Sequence, residues 1–279
     1  MLPASITQLR ARYLRGHEAG RESVRMTAAL SEVIEEIDRL LEPERFADHC
    51  VNGLQVPGPE RVATIAKGVS AHAELFELAA AEGAELLLVH HGLFWDPGVR
   101  ALDAQLARRL RILFDAGLGL AAYHLPLDAH PELGNNALLA RALGAVEMDP
   151  FALHRGEPIG FLATLPDAGI GSAELFARVA SITAREPLVF DAGPALVSRL
   201  AIVSGAGADY LEDAAHAGAH ALLTGEAPER AMATARELGL HLIAAGHYAT
   251  ETFGVRALGE RLAAEFGIDH IFADVPNPI

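Results

Sequence analysis

The sequence predicts an α/β protein, and three observations support that prediction. Apolar residues at helical spacing alternate with short continuous apolar runs, glycine or proline closes most of these segments, and 51% of the 279 residues are hydrophobic. Such alternation is typical of a sheet covered by helices on both faces. The length suits one elaborate domain or two interleaved domains.

The first half of the chain predicts helices and strands in turn. Residues 27–41 have apolar side chains at helical spacing, with Thr27 or Ser31 able to cap the start and Pro43 beyond the end. The runs LLLVHHG and LGLAAYHLPLD are continuous and apolar, which indicates strands buried on both faces. The other elements predicted here are a turn-rich segment at 48–58, strands at 62–70, 86–92 and 118–128, and helices at 71–82, 101–116 and 136–143.

The second half of the chain repeats the alternation of helices and strands after a segment rich in proline and glycine. Prolines and glycines surround one predicted strand at 159–165, and we expect a domain boundary near 145–155. The predicted elements that follow are helices at 172–182, 210–217 and 228–238, strands at 188–190, 199–204, 221–223 and 240–244, a helix starting near Tyr248, and a last strand at 270–275. Two α/β units are the simplest interpretation.

Composition excludes several classes of protein. Its 37 acidic and 22 basic residues give a formal charge of −15, so we expect no stable binding of double-stranded nucleic acid, and a small phosphorylated ligand stays open. No apolar run reaches the roughly 18 residues that cross a bilayer, so we expect no membrane span. Cys50 is the single cysteine, which excludes an intrachain disulfide and favours a reducing, cytoplasmic setting.

The first 25 residues differ from the rest of the chain. They contain five arginines and two glutamates and lack the apolar stretch of a secretion signal. We expect residues 1–25 to be a disordered N-terminal extension. A basic arm or targeting presequence is the alternative, and the two acids argue against it.

Two adjacent histidines, His90 and His91, end a predicted buried strand. Neighbouring side chains of a strand point to opposite faces, so the pair serves one site only if the backbone turns there, and Gly92 permits that turn. Ligands of open α/β sheets bind outside the carboxyl ends of strands. The alternative is one buried histidine of the core beside one solvated histidine.

Two further groups follow predicted strands in the same way. His124 and Asp128 end the next strand of the first half, where a helix cap or turn is the alternative role for the aspartate. His247 and Glu251 stand four residues apart, which places both on one face of a helical turn, and a surface glutamate with a nearby histidine is the alternative.

Three strand ends therefore supply three imidazoles and two carboxylates, a donor set suited to zinc, iron, manganese, nickel or cobalt. One tetrahedral zinc ion needs fewer donors, so we expect two divalent ions per chain. The predicted ligands are His90, His91, Asp128, His247 and Glu251.

Other motifs are weaker. VSGAGAD at 203–209 resembles part of a phosphate-binding loop, but the third glycine and the lysine are absent, so a tight turn is favoured. Helix entry accounts for Glu226, since Pro228 follows it. No Gly-x-Ser-x-Gly motif occurs, and His49 beside Cys50 is a poor nucleophile pair because sequence neighbours rarely adopt the required geometry.

The chain resembles the NIF-three-like family, whose bacterial members are commonly labelled GTP cyclohydrolase I type 2 homologues. Four ordered blocks carry the resemblance, which covers residues 26–279: NGLQV, LLLVHHGLFW, YHLPLDAHPELGNN and GHYATE. It implies two interlinked α/β domains, one from 26–128 with 246–279 and an inserted one from 129–245. It also implies a toroidal homohexamer with a two-metal site at the same five residues.

The resemblance leaves the reaction open. We expect a metal-dependent hydrolase acting on a nucleotide or related small molecule, with His124 as a proton carrier because its ordinary pKa lies near 6.5. A partner that orients Asp128 is the alternative role for His124. The alternative class is a non-catalytic metal-handling or interaction protein. This alternative stays open because the candidate phosphate-binding residues do not form a cluster in the sequence: Arg155, Arg185 and Arg199.

Overall fold

A computed structural model describes residues 26–96, 98, 101–166 and 169–279. It contains two separate main sheets with helices packed on both faces of each, so the predicted α/β fold is confirmed. The expected disordered extension at 1–25 lies outside the described residues. None of the helices in the described ranges is long and apolar enough to span a membrane.

The first sheet has five strands. Their spatial order is Asp269–Phe272, Thr64–Ser70, Leu86–His91, Gly119–Ala122 and Gly53–Val56, and all neighbours are parallel except the last pair. Leu86 and Leu88 belong to one core with the helices Leu30–Leu41 and Thr252–Phe266, whereas Leu87 and Val89 belong to the opposite core with the helices Ala73–Ala81 and Ala104–Ala116. Because both faces are buried, the strand needs a continuous apolar run.

The second sheet has six strands. Their spatial order is Leu188–Phe190, His241–Ala244, Ala221–Thr224, Arg199–Ile202, Glu157–Thr164 and Glu147–His154. The pairs among the second, third and fourth are parallel and the other pairs are antiparallel. The helices Leu211–His216 and Ala231–Leu238 contribute to the core on one face, and Asn135–Ala142 and Ser172–Thr183 contribute to the core on the other.

The predicted strand at 159–165 is confirmed as Glu157–Thr164, but it was wrongly expected to stand alone, because Glu147–His154 pairs with it in a hairpin. Pro150 and the exposed polar residues of the first strand remove the alternation of apolar and polar residues that predicts a strand. Ala152 has no partner in the register and has a φ of 59°, so it forms a bulge that bends this edge strand.

Smaller elements complete the fold. Ala28–Ala29 pairs with Arg61–Val62, so the first helix begins at Leu30, not at the predicted residue 27. Ile170–Gly171 pairs with Leu196–Val197. Leu125–Ala129 and His247–Thr250 are short helices, and Pro43–Arg45 and Gly207–Tyr210 are 3-10 turns. The predicted domain bounds remain a prediction.

A candidate metal centre

The predicted site residues all lie where the carboxyl ends of the two sheets meet. His90 and His91 end a strand of the first sheet, and His124 follows the neighbouring strand. His247 follows the strand His241–Ala244 of the second sheet. Gly246, with a φ of 99°, turns the backbone between that strand and His247.

His90 is fully buried and presents one nitrogen to two carboxylates. Its Nδ1 lies 3.0 Å from the carbonyl oxygen of Tyr123, which can only accept, so Nδ1 carries the proton. Its Nε2 lies 3.5 Å from Asp128 Oδ2 and 3.6 Å from Glu251 Oε1. Nε2 of His90 has no hydrogen-bond partner among the described residues. A buried nitrogen left in this way is the arrangement that a bound cation satisfies.

Glu251 is the centre of the cluster. Its carboxylate oxygens lie 3.2 Å from His91 Nε2 and 3.3 Å from His247 Nε2, in addition to the contact with His90. Oε2 of Glu251 has no hydrogen-bond partner within the part of the chain that the structure describes. The helix expected to start near Tyr248 begins at His247, and the backbone then breaks at Glu251, between the helices His247–Thr250 and Thr252–Phe266.

Asp128 lies in the short helix Leu125–Ala129 and is held by neutral donors. Asn135 Nδ2 and Ser204 Oγ donate to its Oδ1 at 2.8 and 3.0 Å, which leaves Oδ2 facing His90. These contacts fix the direction of a buried carboxylate.

His124 pairs with Asp48, which the sequence analysis did not single out. His124 Nδ1 lies 2.9 Å from Asp48 Oδ1, so the alternative in which His124 orients Asp128 is not what the structure contains. The centroid of the His124 ring lies 4.9 Å from that of His90 and 5.5 Å from that of His91. Because Nδ1 is engaged, Nε2 is the nitrogen left available.

Asp48 is anchored by a turn of its own segment. Its carboxylate accepts hydrogen bonds from the backbone nitrogens of Cys50 and Leu125 and from Asn52 Nδ2. Asn52 also supports His124, because its Oδ1 accepts a hydrogen bond from the backbone nitrogen of His124.

The buried carboxylates and imidazoles of the cluster shift one another's pKa values. Burial raises the pKa of Glu251, but the charge of His90 and the hydrogen bond from His247 outweigh it and hold that pKa well below its usual value. Burial lowers the pKa of His91 to about 3. Burial also lowers the pKa of His90, but Asp128 and Glu251 raise it well above its usual value, and a hydrogen bond to Glu251 raises the pKa of His247. Glu251 and His91 therefore have the protonation states that ligate metals, whereas a cation would displace a proton from His90 and His247.

The second sheet contributes backbone that approaches the cluster closely. A Cβ added at Gly205 would lie 2.3 Å from Glu251 Oε1 and 3.1 Å from His247 Nε2. Assigning Glu226 to helix entry is wrong, because the helix begins at Ala231 and Glu226 Oε1 lies 3.4 Å from His247 Nδ1. The predicted tight turn at 203–209 is present and covers the site.

Two overlapping sets of side chains can hold a metal ion: His90, His91 and His124 in one, and His91, His247 and Glu251 in the other. The donor chemistry and the two unpartnered atoms fit a divalent cation. The number and identity of the ions remain predictions.

Fold and site together define an α/β protein with a centre of histidines and carboxylates, at the meeting point of two sheets, that can hold metal. The family model for Duf34/NIF3 (NGG1p interacting factor 3) matches residues 28–278, and the chain belongs to this family. The family resemblance noted in the sequence is confirmed.

Relatives and solved structures agree with this assignment. Proteins named GTP cyclohydrolase 1 type 2 homolog are similar to the chain: one from Pseudomonas aeruginosa is 43% identical over 91% of this chain and 100% of its own length. The Escherichia coli K12 protein is 41% identical over 87% and 96%. The solved structure of protein ybgI, described as of unknown function, covers 90% of this chain and 100% of its own at 38% identity and a TM-score of 0.84.

Proposed function

We propose that the protein is a metal-dependent hydrolase acting on a nucleotide or related small molecule, like a type 2 GTP cyclohydrolase. The observation that carries the proposal is the convergence of buried, unpartnered donor atoms of His90 and Glu251 with three more metal-binding side chains. The name shared by the bacterial relatives supports the substrate class.

In this proposal, the chain's own residues divide into holding and proton-carrying groups. The residues that would hold two divalent ions are His90, His91, Asp128, His247 and Glu251. When bound, divalent ions act as Lewis acids and lower the pKa of water. His124 would carry a proton through Nε2, since Asp48 fixes its ring through Nδ1.

The cluster is open to solvent on one side. The side chains of His91, His124 and His247 are 19%, 20% and 28% exposed, whereas that of His90 is not exposed at all. A small molecule can therefore reach the donor atoms. The same opening favours exchange of ions, which supports the second candidate function, a non-catalytic metal-handling protein.

Metal analysis combined with a substrate panel tests the proposal. As-purified protein is expected to contain about two divalent ions per chain, and His90→Ala or Glu251→Ala should lower that content. His216→Ala is the matched control, because His216 ends a helix of the second sheet and is not part of the cluster. An unchanged metal content in both site variants refutes the site.

Turnover separates the two candidate functions. Metal-loaded protein is incubated with GTP and damaged nucleotides, and ring-opened or hydrolysed products are measured. Products that disappear in His124→Gln while the metal content stays constant support the hydrolase with His124 as proton carrier. A metal-loaded protein without any product favours the metal-handling function.

The proposal includes a toroidal homohexamer, which the family resemblance supports. It also includes a cytoplasmic setting, which the single cysteine supports. Light scattering is expected to give about six times the chain mass of 29.5 kDa. Cell fractionation tests the location.

A further inference from the structure

The tip of the hairpin in the second sheet places Arg155 against the segment that contains Asp48. Arg155 and Gly156 form the two-residue turn between Glu147–His154 and Glu157–Thr164. Arg155 Nη2 lies 2.8 Å from His49 Nε2, and its Nη1 donates to the carbonyl oxygen of Ala47 at 3.3 Å. The arginine therefore docks on the segment that contains Asp48, the partner of His124.

The same segment runs beside the single tryptophan of the chain. The backbone nitrogen of Asp96 donates to the carbonyl of His49 at 2.7 Å, and Cys50 forms an antiparallel bridge with Trp95. The indole centroid of Trp95 lies 5.1 Å from the His124 ring. Trp95 Nε1 donates to the carbonyl of Gly92 at 2.8 Å, which holds the indole in place. Trp95 and Arg155 thus both contact the segment 47–50, which contains Asp48.

The positive charge of Arg155 has no carboxylate partner in the described parts of the chain. Arg39, Arg108 and Arg230 each form an ion pair with a glutamate or aspartate. Among the described residues, Arg61 and Arg141 resemble Arg155 in contacting only neutral oxygens or nitrogens. Because the guanidinium only donates, His49 accepts through Nε2 and carries its proton on Nδ1. An exposed guanidinium held by neutral partners retains N–H donors and a charge suited to a phosphate.

Turn chemistry does not account for an arginine at this position. Arg155 has a φ of 50° and Gly156 a φ of 102°, the left-handed pair of a type I′ turn. Asn or Gly is preferred at the first of these positions, and a long side chain there costs conformational energy. Unfavourable backbone conformations of this kind cluster at functional sites.

We infer that this surface, formed by Arg155, His49 and Trp95, binds a nucleoside phosphate, with the phosphate on Arg155 and His49 and the base against Trp95. The inference rests on the proposed function, because it assigns the ligand of that same site. Arg155 and His49 supply donors to phosphate oxygens, and the indole supplies a planar apolar face. Both groups hold the ligand beside the cluster and neither takes part in bond cleavage.

Equilibrium dialysis of metal-loaded full-length protein tests the inference with guanosine 5′-monophosphate, guanosine and inorganic phosphate. The monophosphate is expected to bind about tenfold or more tightly than guanosine, since charge-assisted hydrogen bonds give that order of preference. It should also change the fluorescence of Trp95, the single tryptophan. Inorganic phosphate alone should bind weakly and leave the fluorescence unchanged.

Arg155→Asn is the decisive variant, because asparagine suits the turn and removes the guanidinium. It is expected to abolish the preference for the monophosphate over guanosine, whereas Arg155→Lys keeps part of it. Arg108→Gln is the control, since it removes an exposed arginine paired with Glu77 on the surface. A preference that survives in Arg155→Asn, or disappears equally in Arg108→Gln, overturns the inference.

Failure of this inference differs from failure of the proposed function. If nucleotides are hydrolysed but Arg155→Asn keeps the preference for phosphate, the assigned surface is wrong and the hydrolase stands. If no product forms but the preference depends on Arg155, the surface stands and the protein is a binder. Absence of binding by all three probes, or binding without any fluorescence change, overturns the assignment.

Discussion

The two sheets bring different material to one site. The first sheet supplies donor side chains at its strand ends, above all the doublet His90 and His91. The second sheet supplies His247 and Glu251 after the strand His241–Ala244. It also supplies close backbone, of which Gly205 is the clearest case because a single added carbon would overlap Glu251. Both sheets thus contribute ligands, and the second sheet also contributes the backbone that encloses them.

This difference explains why donors are easier to recognise than their surroundings. A histidine doublet after an apolar run is visible in the sequence, whereas a glycine that faces a carboxylate looks like any turn glycine. Substitutions can therefore test the ligand side chains and the backbone that encloses them separately.

The largest effect is expected when the carboxylate at the centre is removed. Glu251→Gln keeps the size of the side chain but loses the charge that faces three imidazoles. Metal affinity should fall by about 100-fold or more, because even outer partners of ligands contribute 10- to 100-fold. Dialysis against a metal buffer measures this.

The control for that variant is Glu226→Gln, which changes a half-exposed carboxylate that reaches only the outer nitrogen of His247. Its loss of affinity should stay within about tenfold. Equal losses in the two variants would contradict the central position assigned to Glu251.

The enclosure is tested by Gly205→Ala against Gly83→Ala. Both glycines have a positive φ, 61° and 71°, but only Gly205 faces side chains, and Gly83 faces open space. The backbone conformation costs each variant about 1 kcal/mol, and overlap with Glu251 should add about 1–3 kcal/mol at Gly205. Urea denaturation gives both values. If the two variants lose the same stability, the second sheet does not press on the site.

A smaller effect concerns the pair of Asp48 and His124. Burial raises the pKa of Asp48, but the hydrogen bond and charge of His124 outweigh it and hold that pKa well below the usual value. The stabilisation from this carboxylate is fully present above its pKa in the unfolded chain, which is about 3.9. It is lost as the pH falls through its lower pKa in the folded chain. Asp48→Asn should therefore lower the free energy of unfolding by about 1–3 kcal/mol at pH 7.

The pH dependence identifies the cause of that loss. The difference between wild type and Asp48→Asn should shrink as the pH falls below about 4, because the carboxylate of the unfolded wild-type chain takes up a proton there while that of the folded chain stays ionised. Glu174→Gln removes a carboxylate from an exposed pair with Arg178 and should change stability by less than about 1 kcal/mol at either pH. A difference that stays constant with pH would show that packing, not charge, holds Asp48.

The smallest effect is expected at the hairpin tip. Arg155→Asn should leave the free energy of unfolding unchanged or raise it by up to about 1 kcal/mol, because asparagine is preferred at this φ. Thermal denaturation measures it. A loss above about 1 kcal/mol would mean that the contacts with His49 and Ala47 hold the hairpin in place, which would make Arg155 a structural residue.

Much of the fold could be predicted from local patterns. The strand Leu86–His91 is buried on both faces and shows as an uninterrupted apolar run. The helix Ala104–Ala116 ends where Gly117 takes a φ of 61°, as a glycine after apolar periodicity predicts. The strand Glu147–His154 was missed because Pro150 and exposed polar residues on an edge strand remove both signals.

The site could be predicted only in part. The five donor residues follow strand ends or sit at helical spacing, and the structure brings them together. Asp48 and Glu226 were missed because their contacts, with His124 and His247, join segments that sequence spacing does not relate. The pair of Asp48 and Asn52 before a strand was an available signal, since both side chains commonly satisfy turns.

The break in the helix at Glu251 has a consequence for how the protein is made. This carboxylate comes late in the chain, on a segment that joins the last parallel strand of one sheet to a helix packed on the other. A ribosome-bound chain that has not yet exposed residue 251 carries the earlier histidines without the group that draws them together. The complete cluster that could hold a cation therefore exists only after residue 251 has been synthesised and both sheets have docked.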